Sequence, residues 1–360
     1  MRGCFRILFL YEVAEAIRID LLRSLRGSKG VEPPASLSPP APQYLRFERP
    51  PVAEAIGPIV LQSGEQIRGS ARYYDYGVVS IELELPFESD WHALVLQTSR
   101  LSGAIELENK AADWLAIALR RVTPALTKPY QSWLKEDYHI VEVREIAEPG
   151  GQTLGAEDLL AANAMEIAQI VRGDSVLLSE AERGEVLGSS ISYSRTDLLV
   201  VGWTGALVYG NPEGAATTIQ LLEYANTQLL EFRYYDGLLT GELNAVYRFL
   251  DRKGAKFTAW RLSREAARVN TIRLDVMELT EKVDNAVKFL SDMFYARLYG
   301  VIAAKVGVTE YRKLVDQKLR TAGELYRFMV DQFNQSRSFV LELAVVIILV
   351  IDLAFLFRGK

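Results

Sequence analysis

The stretch YYDYGVVSIELEL, Tyr73–Leu85, carries the clearest strand pattern in the sequence. Apolar and polar side chains alternate through its second half, as in a strand with one face on a core. The apolar members are Val79, Ile81, Leu83 and Leu85, and the polar members are Ser80, Glu82 and Glu84. Pro86 cannot donate to a sheet ladder, so it should end the strand. The first half of the chain is therefore expected to contain a sheet.

On both sides of this strand, further strand and helix patterns alternate. Strands are predicted at Phe5–Leu10, Ile56–Gln62 and His139–Ile146, and helices at Val13–Leu25, Asp90–Leu101 and Ala111–Arg121. With Tyr73–Leu85 these elements follow the order βαββαβ, which is that of a ferredoxin-like sandwich. The predicted fold class is α+β with a ferredoxin-like head.

Shifts in composition divide the chain into units. Five prolines stand among Ser and Gly between Gly27 and Pro42, which is typical of a flexible linker. Beyond Pro212, apolar residues follow helical spacing over many turns and predict a helical hairpin or stalk. The predicted units are a strand and helix of the head (1–26), the linker (27–44), the α/β head (45–147), a second α/β segment (148–212), a long-helix bundle (213–334) and a membrane anchor with a short tail (335–360).

Composition and motifs argue against enzyme chemistry. A single cysteine, Cys4, excludes an internal disulfide. Two histidines, His92 and His139, leave little material for zinc, haem or a Ser-His-Asp arrangement. Phosphate-loop, dinucleotide, metalloprotease and nucleophile-elbow motifs do not occur. The sequence therefore indicates no catalytic residues, metal site, cofactor or small-molecule substrate.

The segment Phe339–Phe357 has the composition of a membrane-spanning helix. Its 19 residues include only two polar ones, Glu342 and Asp352. A helix of this length is about 28 Å long, close to the thickness of a hydrocarbon core. The alternative is a buried core helix. Since the N-terminus lacks an export signal, the prediction is a single-pass protein whose body faces the cytoplasm of a bacterial inner membrane, or the matrix if it is organellar.

Four residues of this segment, Glu342, Val345, Leu349 and Asp352, lie on one seam of the predicted helix because they are spaced three, four and three apart. Acids within a membrane normally face protein or water. The seam therefore predicts a homo-oligomer. The alternative is that both acids reach the water of the headgroup layer.

Two polar clusters further up the chain have competing interpretations. Asn226, Gln228, Arg233 and Asp236 lie in or beside an apolar helical stripe. They would either fix the register of packed helices or form a small anion or nucleotide site, and Arg233 and Asp236 are spaced to pair.

The second cluster is basic. Arg261, Arg264 and Arg268 share one helical face next to Trp260. They would either contact RNA phosphates and anionic lipid or form an exposed face paired with the acidic body.

Three stretches resemble a known family. They are LLEYANTQLLEFRYYD (Leu221–Asp236), RLYGVIAAKVGVTEYRKLVDQKL (Arg297–Leu319) and LELAVVIILVIDL (Leu341–Leu353). In this order they resemble the "required for meiotic nuclear division" proteins, and the resemblance covers residue 56 to the end. It implies a single-pass membrane protein that forms large homo-oligomers, with mitochondrial members that support translation.

The leading functional hypothesis is a non-enzymatic, membrane-tethered oligomeric scaffold linked to translation. The first alternative is a ribosome or RNA tether at the membrane, and the second is a nucleotide-binding regulator or enzyme with a site in the head. A cleft with convergent polar groups in the head would favour the second alternative.

Overall fold

A computed structural model describes residues 1–25, 50–61, 64, 66–146, 154–251, 259–288 and 293–358. The chain forms two compact units. The sheet unit comprises Met1–Tyr234 and Val283–Tyr311, and the helical unit comprises Tyr235–Lys282 and Arg312–Lys360. The predicted linker at 27–44 lies outside the described residues.

The sheet unit is built on an eight-stranded mixed sheet within the described residues. Its strands are β1 (Arg2–Ile17), β2 (Val52–Val60), β3 (Gln66–Tyr73), β4 (Val78–Glu88), β5 (Leu126–Glu145), β6 (Ser190–Ile191), β7 (Leu198–Val201) and β8 (Gly205–Tyr209). They lie in the order β2-β3-β4-β1-β5-β8-β7-β6. All neighbouring pairs are antiparallel except β5 and β8, which are parallel.

Helices accompany the sheet and form the second unit. They are α1 (Ile19–Leu25), α2 (Trp91–Leu101), α3 (Ile105–Val122), α4 (Ala156–Ala162), α5 (Ala164–Arg172), α6 (Glu180–Leu187), α7 (Pro212–Asp251), α8 (Ala259–Lys288), α9 (Met293–Val306) and α10 (Val308–Arg358). The parts of α7, α8 and α10 in the helical unit bury a small apolar core that includes Val246, Val269 and Met329. The two longest helices, α7 and α10, each contribute residues to both units.

The ferredoxin-like prediction is wrong because a strand was missed. A βαβ unit needs two parallel strands joined by a crossover, but β1 runs antiparallel to both of its neighbours, β4 and β5. The predicted strand Tyr73–Leu85 in fact contains the end of β3, a tight turn and most of β4. The turn is closed by a hydrogen bond from Tyr74 N to Val78 O of 2.9 Å, and Gly77 adopts a φ of 101° that favours glycine. This extra hairpin reverses the chain and changes the topology.

The predicted helix Val13–Leu25 begins too early. Strand β1 continues to Ile17, and only Ile19–Leu25 is helical. Val13 N donates to Gly77 O at 3.1 Å, and Ala14, Ala16 and Ile17 pair with β5 after a register shift. Sheet pairing therefore overrides the local helical pattern.

The two faces of the sheet are both covered. Alternate residues of β1, including Phe5, Ile7 and Phe9, enter a large apolar core together with residues of α2, α3 and α5. On the opposite face, α7 lies over the strands, as shown by the ion pair between Arg72 of β3 and Glu223 of α7. Two-sided burial explains why β1 is apolar along most of its length.

The transmembrane prediction is also wrong. Phe339–Phe357 is the last part of α10, which begins at Val308 and carries many charged residues. No helix within the described residues is long and apolar enough to cross a membrane. The predictions of a tail anchor and of single-pass membrane localisation are therefore wrong as well.

Candidate functional site

A network of buried charges lies between the sheet and α7. Arg6 Nη1 donates to Glu82 and Glu84, each at 2.5 Å, and Arg6 Nη2 lies 3.1 Å from Glu142. Arg72 Nη1 lies 3.0 Å from Glu82 and also donates to Glu223 of α7. Glu82, Glu142 and Glu223 are 1–3% exposed. These ion pairs connect β1, β3, β4, β5 and α7.

The pKa directions show how well each carboxylate is compensated. Burial opposes the ionisation of Glu82, but the guanidinium groups of Arg72 and Arg6 hold its pKa below its usual range. Burial raises the pKa of Glu223, and the Arg72 charge and hydrogen bonds with Ser80 and Tyr74 offset this only in part. The network is closed in the sense that each of its carboxylates pairs with a guanidinium, and we assign it a structural role.

A second pair of buried acids lies between β1 and α7. Glu12 of β1 and Glu231 of α7 are 1% and 2% exposed and face each other. Burial, the Glu231 charge and a hydrogen bond with Glu231 raise the pKa of Glu12 well above its usual range. Two adjacent carboxylates cannot both ionise cheaply in such surroundings, so the pair holds one proton between them.

His139 is held as a neutral core residue. Its Nε2 lies 2.8 Å from Ile170 O and its Nδ1 lies 3.3 Å from Ser102 Oγ. Burial lowers its pKa to about 4. The close packing of Gly205 is part of this arrangement, since a Cβ there would lie 2.1 Å from the His139 ring.

An open cavity of about 210 Å³ lies beside the middle of β5. The register of the sheet places Phe9 opposite Asp137 and Tyr11 opposite Lys135. The lining residues come from β1, α3, β5 and α7, and they are Phe9, Tyr11, Glu108, Lys135, Glu136, Asp137 and Arg233. Phe9 and Tyr11 are buried, whereas Lys135 and Asp137 are exposed. The cavity therefore has an aromatic floor and a charged rim.

The charges in the cavity do not balance. Lys135 pairs with Glu108, and Arg233 pairs with Glu136. Asp137 makes no ion pair with a described residue. Partial desolvation and the Glu108 charge raise its pKa, although the Lys135 charge and a backbone hydrogen bond oppose the rise. Two bases therefore face three acids.

The floor of the cavity carries a polar atom without a partner. Tyr11 is 3% exposed, and its hydroxyl makes no hydrogen bond to the described residues. Burial and the nearby charges of Glu108 and Asp137 raise the pKa of this hydroxyl. A buried hydroxyl normally finds a partner, because leaving it unsatisfied costs about 1 to 3 kcal/mol. The geometry accordingly supports occupation by a ligand or water.

Of the predicted helical cluster, only Arg233 lines this cavity. Its guanidinium also lies over the Tyr311 ring at 5.7 Å. Asn226 donates to Leu222 O at 2.8 Å, and the Tyr299 hydroxyl donates to Gln228. Asp236 accepts from Lys318 at 2.5 Å. The expected pairing of Arg233 with Asp236 is replaced by these other partners, and the four residues do not form one site.

The predicted basic cluster is only partly described. The side chains of Trp260 and Arg261 lie outside the described residues. Arg264 is exposed, and Arg268 pairs with Glu242. The seam residues Glu342, Val345 and Leu349 are exposed, and the side chain of Asp352 is outside the described residues.

Sequence reasoning missed Tyr11 and Asp137. Tyr11 stands inside an apolar run, and Asp137 follows a mixed polar stretch without a motif. The alternation of β5 does place Lys135 and Asp137 on the same face, but the pairing of β5 with β1 is needed to bring them to Tyr11. The sequence feature that could have indicated the site is a single tyrosine, with its polar hydroxyl, in a strand that is too apolar to be exposed.

These features define an α/β protein with a mixed sheet and an open cavity, lined by charged residues, beside strand β5. Residues 2–216, more than half of the chain, match the family described as "Uncharacterized protein MJ0711, N-terminal domain". The chain belongs to this family.

Uncharacterized protein MJ0711 of Methanocaldococcus jannaschii is 20% identical over 218 residues, which cover 61% of this chain and 65% of that protein. The chain thus spans about 65% of the length of the curated relative it matches. No solved structure matches. The cavity residues lie within 2–216, except Arg233.

The resemblance to the "required for meiotic nuclear division" family is therefore wrong. All three stretches that suggested it, Leu221–Asp236, Arg297–Leu319 and Leu341–Leu353, lie beyond residue 216. They fall mainly on the long helices α7, α9 and α10. Apolar stripes at helical spacing arise in any packed long helix, so they are weak markers of a family.

Proposed function

We propose that this protein is a non-enzymatic, ligand-binding regulator whose sheet unit holds a small molecule in the cavity beside β5. The single observation that carries the proposal is the buried Tyr11 hydroxyl, which has no hydrogen-bond partner among the described residues and lies near the Asp137 carboxylate. Pockets for ligands combine apolar walls with a few convergent polar groups. Phe9 and Tyr11 of the aromatic floor supply the apolar surface here, and the charged rim supplies the polar groups.

The cavity does not suit a nucleotide, which was the ligand class first considered for the head. Three carboxylates line it against two bases, so a phosphate would meet a net negative charge. Its volume of about 210 Å³ is also below the range of roughly 300 to 1,000 Å³ that holds drug-sized ligands. The proposal is accordingly restricted to small, non-anionic molecules.

The test is a thermal-shift screen of the full chain against small metabolites grouped as cations, neutral molecules and anions. At least one compound should raise the melting temperature, and Tyr11→Phe and Asp137→Asn should reduce this shift. Asp113→Asn is the matched control, because Asp113 is an exposed acid on α3 outside the cavity. If no compound shifts the wild type, or if all three variants respond alike, the proposal is wrong.

A second candidate function, self-association as an oligomeric scaffold, is favoured by the end of α10. Val345–Val350 are six consecutive apolar residues, each 49–61% exposed. A helical segment that is apolar all round is normally buried against other protein. We propose that the α10 segments of several copies of this chain pack together there.

Sedimentation of the full chain tests this second proposal. The wild type should sediment as an oligomer, and Val346→Gln with Leu349→Gln should lower its mass. The control is Leu314→Gln, an exposed apolar position near the start of α10. A wild type of single-chain mass would rule out the scaffold.

A further inference from the structure

The geometry points to a specific ligand class for the cavity: we infer that it binds a small aliphatic primary amine in its ammonium form. This inference rests on the proposed ligand-binding function and deepens it. It is carried by the charge, the hydrogen-bonding groups, the aromatic floor and the size of the cavity.

The net charge of the rim favours a ligand that carries one positive charge. Lys135 pairs with Glu108 and Arg233 pairs with Glu136, although the Lys135 charge also acts on Asp137. Asp137 is the acid left over, so the lining carries one net negative charge. An anion would add to this imbalance, a neutral molecule would leave it, and a monocation removes it.

The hydrogen-bonding groups select an ammonium among the cations. The Asp137 carboxylate offers only acceptors, and the Tyr11 hydroxyl can accept one hydrogen bond while donating another. A primary ammonium has three N–H donors. It can therefore donate to Asp137 and to Tyr11 Oη together, which gives the buried hydroxyl the partner that it lacks among the described residues.

The floor of the cavity favours an organic cation. Phe9 and Tyr11 are 4% and 3% exposed, so their rings are fixed in the core. The Tyr11 ring is further held edge-on by Trp133, with centroids 6.3 Å apart. Aromatic faces attract ammonium groups, and their apolar surface suits an attached alkyl chain.

The volume limits the length of that chain. A cavity of about 210 Å³ corresponds to the liquid volume of about seven water molecules, so it accommodates about seven non-hydrogen atoms. Butylamine, with four carbons and one nitrogen, is a probe of suitable size.

The experiment is a calorimetric titration of the full-length wild type with butylammonium, 1-butanol and butyrate at pH 7 and constant ionic strength. These probes share one chain length and differ in head-group charge. Butylammonium should bind, with an affinity at least tenfold above that of butanol, and butyrate should not bind. Because this comparison uses the wild type alone, it does not depend on the folding of any variant.

Variants then place the amine in the cavity. Asp137→Asn should weaken butylammonium binding by about tenfold or more, since it removes a charged hydrogen-bond acceptor. Tyr11→Phe should also weaken it by about tenfold or more, since it removes a hydrogen bond between a hydroxyl and a charged ammonium. Asp113→Asn should leave the affinity unchanged. Equal affinities in all four proteins would overturn the site.

The remaining outcomes distinguish a failure of the amine inference from a failure of the proposed ligand-binding function. If butanol binds best and the binding depends on Asp137 and Tyr11, the amine inference is overturned and the ligand-binding function stands. Binding of Ca²⁺ in place of butylammonium, sought in a parallel titration with calcium chloride, would overturn the amine in the same way. If butyrate binds best, the amine inference and the restriction of the proposed function to non-anionic ligands are both overturned. If neither these probes nor the wider metabolite screen binds, both fail.

Discussion

Two clusters of charged residues in the sheet unit are built from the same kinds of residue, but they differ in whether each acid has a basic partner. In the network around Arg6 and Arg72, each carboxylate faces a guanidinium, and the key acids are almost fully buried. In the cavity beside β5, Asp137 and the Tyr11 hydroxyl have no such partners within the described residues. A closed cluster contributes to folding, whereas an open one can bind something else.

The difference has an energetic basis. Burying a charge without a partner costs several kcal/mol, so a closed network can be kept in the core only while it remains complete. The cavity keeps Asp137 at an exposed rim, where water reduces this cost. Mutations in the first cluster should therefore lower the stability of the folded protein, and mutations in the second should weaken ligand binding.

The largest effect is expected from Arg72→Met. This change leaves the buried Glu82 and Glu223 without the guanidinium between them. Removal of one partner from a buried ion pair typically costs about 3 to 5 kcal/mol, and urea denaturation should show a loss of this size. Glu223→Gln in the Arg72→Met background should recover part of it. A loss below about 1 kcal/mol would show that the network is not structural.

A pH-dependent effect is expected from Glu12→Gln. Burial against Glu231 raises the pKa of Glu12 in the folded state above the ordinary 4.5. The folded protein therefore binds more protons than the unfolded chain, and this contribution to stability is present below pH 4.5 and is lost as the pH rises. Gln cannot ionise, so thermal melts should show the variant gaining stability relative to the wild type between pH 5 and pH 9. A difference that is constant over this range would contradict the shared proton.

A small effect is expected from Arg2→Met, on the same strand as Arg6. Arg2 pairs with Glu88 at 3.2 Å, but both side chains are more than 60% exposed. Exposed ion pairs contribute about 0 to 1 kcal/mol, so urea denaturation should show a change within that range. A loss as large as that of Arg72→Met would mean that burial is not what distinguishes the two pairs.

The smallest effect on stability is expected from Asp137→Asn. Asp137 is exposed and has no ion pair with a described residue, so the free energy of unfolding should change by about 0.5 kcal/mol or less. Circular dichroism melts of the ligand-free protein can measure this. A large destabilisation would place Asp137 with the structural network and weaken its assignment to a ligand site.

The sequence predicted local periodicity better than topology. The alternation through Val79, Ile81 and Leu83 correctly marks β4, and the apolar core face of that strand follows from it. The same pattern indicates one face on a core, although Glu82 on the other face is buried as well and pairs with Arg72. Periodicity reports the two faces of a strand, but it does not report what lies on each face.

The errors at the two ends of the chain have a similar cause. The segment Val13–Ile17 has a helical pattern, but its pairing with β5 makes it a strand. The apolar end of α10 was judged by its composition in isolation, although it continues a long charged helix. The candidate site depends on the contact of Tyr11 with residues more than 90 positions away, and no local pattern encodes such a contact.

The most direct test of the contrast between closed and open clusters is native mass spectrometry of the full-length protein purified gently from cells. The wild type should carry a small molecule that is released on denaturation, with the mass of a short amine. Asp137→Asn should lack this mass, and Arg2→Met should retain it. If the wild type and Asp137→Asn show identical spectra with no bound molecule, or the same bound molecule, then the cavity is not the ligand site.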